Sequence, residues 1–338
     1  MTARALVAAV LLLPACSLPS TSPPTPTAPA RIVVVTGVAG AAARRPPATP
    51  ASGPVARPAA EPPSAPEPAA RPVERLDAAV AARLSGRAGE PGPEQLGVVI
   101  ENLSTGERFA QNEARLFPSG SVYKLAVAWE VMRRVDRGQL RLTDELTIEP
   151  GDALEAEPDG GVAPGERVTV RDALEAMMSV SSNAAAYALL RLVGRSELNA
   201  SLHGLGMQHT SVPLLNEPPV PGGQALHAEW AITTPADMTV LLRLLATNRT
   251  LADGSRAELR RLLALPEPID PLRDGAPVGA GVLGKIGSLE DATNAAGLLT
   301  TPRGTVAVAV FTTGVPPGRA YDLIVDLARA VYQAYGVT

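Results

Sequence analysis

Between residues 72 and 86 the apolar positions Val73, Leu76, Val80 and Leu84 recur at helical spacing, and the run closes on Ser85-Gly86. The pattern predicts a surface helix resting on a larger body. The β-branched run Gly97–Leu103 predicts a strand, Ser104-Thr105-Gly106 its turn, and Glu107–Ala110 the returning strand. Helical periodicity then takes over from Ser121 to Arg137 and again at 170–179, 183–193, 196–204, 235–247 and 256–264. Strand character returns at 282–287, 293–300 and 305–313, the last two joined by Thr301-Pro-Arg-Gly304, and a helix at 318–335 follows. Strands at both ends with helices between predict an α+β domain. Its antiparallel sheet is built from both ends of the domain and flanked by helices, with an all-helical lobe between.

The stretch ahead of that domain has a different composition. Residues 16–72 are dominated by Pro, Ala, Ser and Thr, and the brief apolar patch Ile32–Val35 does not alter that character. Such a segment buries too little surface to offset its ordering entropy, which predicts a disordered tether. Before it, Arg4 and the apolar run Ala5–Leu13 predict an export signal over residues 1–15, since the run is too short to span a bilayer. The signal ends in Leu13-Pro14-Ala15-Cys16, which resembles the bacterial lipoprotein box, with Pro14 an unusual occupant. That resemblance implies lipidation of Cys16 and a membrane-anchored protein of the cell envelope. The alternative is an ordinary signal peptide with an incidental cysteine. The folded domain is expected over 73–338.

Net charge is −4, with acids and bases mixed along the chain, so no basic stripe suggests a nucleic-acid partner. Aromatic residues make up 3% of the chain, which leaves Ala, Leu and Val to fill the core. Three histidines and one cysteine, at spacings that match no metal motif, argue against a metal site. The mature domain contains no cysteine for a disulfide.

Candidate chemistry begins at Ser121-Val-Tyr-Lys124, after Pro118-Ser-Gly120 and at the start of a helical run. A serine hydroxyl is a poor nucleophile until a base takes its proton. A lysine three residues on shares the helix face, and burial disfavours its charged form. A helix N-terminus also turns backbone N–H groups toward negative charge developing on a reacting carbonyl. Alone, this motif would read as a helix start with a solvated lysine. Two further motifs accompany it: Ser181-Ser182-Asn183 between two helical runs, and Lys285-Ile286-Gly287-Ser288 on a strand.

In that order and at those gaps, the three motifs resemble the Ser-x-x-Lys, Ser-Asp-Asn and Lys-Thr-Gly signature of class A β-lactamases and their penicillin-binding, DD-peptidase-related kin. Val168–Val180, Thr233–Asp237 and Phe311–Gly314 agree with the family's pattern around the motifs, and the resemblance spans about 75–335. It implies a cofactor-free serine hydrolase, a monomer, acting on a small β-lactam through an acyl-serine intermediate. Ser121 would attack, assisted by Lys124, and Ser181 would pass the proton to the departing nitrogen. Asn183, Lys285, Gly287 and Ser288 would bind substrate. Lys285 would support Ser181 and attract a carboxylate, and the N–H groups of Ser121 and Ser288 would form the oxyanion hole. The bland alternative makes Ser181 and Asn183 helix caps and Lys285 a surface lysine.

The sequence departs from the signature in three places. Ser182 replaces the aspartate. Ile286 removes a hydroxyl that would bind the substrate carboxylate, a loss of about 1.5–3 kcal/mol, and no Lys or Arg lies between Ile286 and Pro302 to replace it. The water-activating glutamate has two alignments over Thr210–Pro218: one makes it Glu217, and the other leaves Val212 in its place. Without that base an acyl-enzyme would persist. A cell-wall peptidase or esterase on the same fold is therefore the alternative, and a non-catalytic envelope lipoprotein the second.

Overall fold

Alternating burial decides which face each strand presents, and helical periodicity decides what covers it. The computed structural model describes residues 75–85, 92, 95–153, 160–212, 231–247 and 250–337, all within the unit Pro66–Thr338. The predicted first helix forms α1 (Leu76–Leu84), and β1 (Leu96–Asn102) pairs with β2 (Arg108–Gln111) as the predicted hairpin. β3 (Phe117–Pro118) leads through a 3-10 turn, Gly120–Tyr123, into α2 (Lys124–Asp136). β4 (Glu145–Thr147) and β5 (Arg167–Thr169) pair before α3 (Val170–Ser179), α4 (Asn183–Val193) and α5 (Arg195–Gly204). β6 (Ile232–Thr233) precedes α6 (Pro235–Thr247), α7 (Asp253–Leu263) and α8 (Pro271–Asp274). The C-terminal strands are β7 (Val282–Leu289), β8 (Ala292–Thr301) and β9 (Gly304–Thr312), closed by α9 (Pro317–Ala334).

The main sheet runs β2-β1-β9-β8-β7, antiparallel throughout, so β9 lies between the N-terminal hairpin and the C-terminal strands. This is the α+β arrangement the pattern predicts. In β9, Val306, Val308 and Val310 join a core with Leu76, Ile324, Leu327 and Val331 of α1 and α9. Ala307, Ala309 and Phe311 turn to the opposite face and join the core of the helical lobe. Small residues on that second face let the lobe approach closely. At Gly97 a Cβ would lie 2.4 Å from the ring of Phe117, which stacks on Phe311 at 6.2 Å.

The lobe is organised around α2, which is buried without interruption from Lys124 to Met132. A helix buried on all sides belongs in a core. It includes a carboxylate, Glu130, whose two oxygens accept from Arg133 at 2.7 Å each, with Arg134 adding a bond at 2.9 Å. Among the described residues no helix is long and apolar enough to cross a membrane.

The start of one predicted helix changes in kind. The helical pattern from Ser121 does not begin as an α-helix. Gly120 enters at φ +51°, and the first turn closes with the Lys124 N–H donating to the Ser121 carbonyl, the tighter 3-10 spacing. β3, β4, β5 and β6 were not anticipated, because two or three residues carry no readable period.

Candidate active site

The turn bearing Ser121 is held from both sides. Pro118 pairs with Ile232, the Ser119 N–H donates to the Ala231 carbonyl at 2.8 Å, and the Asn294 amide donates to the Pro118 carbonyl at 2.8 Å. Asn294 is the cross-strand partner of Gly287, so both place the sheet against the turn. Gly287 has no side chain because none fits: a Cβ there would come within 2.5 Å of the Ser119 carbonyl oxygen and 3.0 Å of the Ser121 nitrogen. The first and third motifs, far apart in sequence, are thus packed backbone to backbone.

Lys124, three residues after Ser121, is fully buried. Its ammonium donates to the Ser181 carbonyl at 2.5 Å and the Asn183 side-chain oxygen at 2.8 Å, and lies 3.2 Å from the Ser181 hydroxyl. The first and second motifs therefore meet through one lysine. Ser181 reaches it in an unusual backbone conformation, φ +59°, while the next residue starts α4. Ser182 is the N-cap, its hydroxyl accepting from the Ala185 N–H at 3.1 Å. The bland alternative, in which Ser181 or Asn183 serves merely as a cap, does not hold: the replacement residue, Ser182, caps the helix and leaves its neighbours turned to Lys124.

Lys285 is not placed to support Ser181 as the resemblance implies. Among the described residues it makes no hydrogen bond to Ser181. Its ammonium instead pairs with Glu267, and it also donates to the Ile286 carbonyl at 3.1 Å. The other Glu267 oxygen accepts the Ile286 N–H at 2.8 Å. Lys285 is fully buried and the Glu267 side chain only 7% exposed. Burial therefore pushes the Glu267 carboxyl above its ordinary range and the Lys285 ammonium below its own, while their mutual attraction opposes both shifts.

Strand geometry explains the remaining positions. Lys285 and Gly287 face the helical lobe, while Ile286, between them, is buried with the α1 and α9 core. The N–H and C=O of Ile286 point off the free edge of β7, where Glu267 and Lys285 take them. The register continues unbroken through Leu289, so the Ser288 N–H, two residues on, faces the same edge. Ser288 is itself exposed.

Cys16 and Glu217 lie outside the described residues. Val212, the alternative to Glu217, is 4% exposed in the lobe core, and its N–H and C=O are bound by Asn199 at 3.0 and 3.2 Å. Among the described residues no cluster of His, Cys, Asp or Glu could hold a metal ion. Sequence reasoning missed Glu267. Its only signal is an acidic residue between Pro266 and Pro268 in the connection from α7 to α8.

Comparison with known proteins agrees with this geometry. Residues 75–335 match the model of the beta-lactamase enzyme family. A reconstructed ancestral class A beta-lactamase is 30% identical, covering 77% of this chain and 100% of its own, with a TM-score of 0.64. A beta-lactamase from Sphaerobacter thermophilus is 29% identical over 77% of this chain and 96% of that one, with a TM-score of 0.63. PBP-A, 24% identical over 78% and 98% of the two chains, shares the fold with a TM-score of 0.65. A serine and a buried lysine on one turn, a second serine at that lysine, and a family match over most of the sequence lead to one assignment: the chain belongs to the beta-lactamase enzyme family.

Proposed function

We propose that this protein opens β-lactam rings through an acyl-serine intermediate, with Ser121 as nucleophile. The observation that carries the reading is the buried Lys124 ammonium between Ser181 and Asn183, one helical turn from Ser121. In the neutral form Lys124 accepts the Ser121 proton as Oγ bonds to the lactam carbonyl carbon. The oxyanion forms opposite the N–H groups of Ser121 and Ser288. Collapse breaks the ring C–N bond, and Ser181, in contact with Lys124, delivers a proton to the leaving nitrogen. Asn183 orients the substrate amide, and Gly287 lets β7 pack directly on the turn that bears Ser121. Water, activated by Glu217, then adds to the ester and releases Ser121.

The test is mass spectrometry of the purified protein after exposure to a penicillin and a chromogenic cephalosporin, followed over time. A transient adduct on Ser121 with accumulating product is expected, and Ser121→Ala abolishes both. An adduct that persists makes the protein a penicillin-binding peptidase instead. No adduct and no turnover sinks the β-lactam reading.

A further inference from the structure

We infer that Glu267 is a specificity-determining residue that disfavours β-lactams bearing a free carboxylate beside the scissile bond relative to the same compounds with that group uncharged. The inference rests on the proposed function and identifies its substrate class. At the free edge of β7, the donors nearest in sequence to Ser288 that could take an incoming anion are the Lys285 ammonium and the Ile286 N–H. Glu267 already holds both, one with each carboxylate oxygen. The pair carries no net charge, and the neighbouring Asp270 has its own cation in Arg273 at 3.1 Å, so neither pair leaves a positive charge over for an anion. A substrate carboxylate would have to displace Glu267 or sit beside it. Displacement would leave a buried carboxylate without its cation, and juxtaposition would set two anions together in a poorly solvated place. No other cation compensates from the strand, since neither Lys nor Arg occurs between Ile286 and Pro302. The Ile286 side chain is committed to the opposite core and offers that carboxylate nothing. An uncharged acyl donor meets none of these penalties.

The experiment compares a chromogenic cephalosporin as its free acid and as its methyl ester, measuring kcat/KM with the full chain and with Glu267→Gln. The wild-type protein is expected to prefer the ester. In Glu267→Gln the acid-to-ester ratio rises about tenfold or more, the worth of one hydrogen bond between charged partners. The change is expected mainly in KM for the acid, which a purely structural role would not produce. A wild-type preference for the acid overturns the inference even if Glu267→Gln does not fold, and so does an unchanged ratio in a folded variant. If neither compound acylates Ser121 in either protein, the hydrolase reading itself fails and the specificity falls with it, an outcome distinct from turnover with the wrong ratio.

Discussion

Ser181 holds φ at +59°, where a side chain costs on the order of 1 kcal/mol relative to glycine. The conformation turns its carbonyl and hydroxyl together onto Lys124, while Ser182 begins α4 in the ordinary way. Local strain here keeps a reactive group in place. Ser181→Gly removes the strain and the hydroxyl together, although glycine also gives the unfolded chain more freedom. Urea unfolding is expected to show stability unchanged or raised by up to about 1 kcal/mol, while the rate of Ser121 acylation falls at least about a hundredfold, the scale of general-acid catalysis. A variant clearly less stable than the parent would mean that the hydroxyl serves the fold rather than the chemistry. Gly287 presents the reverse case, a position whose function is to have no side chain.

Between elements, charge joins what apolar packing leaves at the rim. Glu258 of α7 accepts from Arg261, one turn on, and from Arg171 of α3 at 2.7 Å, while Arg261 also reaches Glu175 of α3 at 2.9 Å. The hydrogen bond from Arg261, followed by the attraction of both arginines, holds the Glu258 carboxyl below its usual 4.5. A carboxylate with a depressed folded-state pKa adds stability that is full above the unfolded value and disappears as pH falls through the folded one. Glu258→Gln is therefore expected to cost about 0.5–1 kcal/mol at pH 7, discounted for its half-exposed arginine partners. The difference should shrink as pH falls below the ordinary 4.5 and vanish once the folded carboxyl is protonated as well; a gap that persists in strong acid would exclude the ionic account. This network was invisible in the sequence, where Glu258, Arg261 and Arg171 are ordinary surface charges. The alternation of Val306 through Phe311, by contrast, announced β9 because each residue's face follows from its neighbour's. The Ser121, Ser181 and Lys285 motifs were legible as a set, because each is short and contiguous and their order and gaps resemble the family signature. Glu267 was not, since its partner lies 18 residues away and only the folded strand edge brings them together.

At the scale of the molecule, the sheet depends on a strand that follows all its neighbours in the chain. β9 joins β1 to β8 and supplies side chains to both cores. A chain ending after Thr301 would leave unpaired edges on β1 and β8 and lack both the β9 valines and the α9 helix that covers them. We expect it to lack a cooperative thermal transition and to be digested rapidly by protease; a native-like circular dichroism spectrum with a sharp melt would refute this. The position of β9 also sets a clock. A ribosome adding about 5–20 residues per second makes β1 roughly ten to forty seconds before it completes the strand on which β1 must pair. Throughout that interval the nascent hairpin has an unsatisfied edge, so holdase binding should concentrate on the β1 segment and end when the last strand emerges.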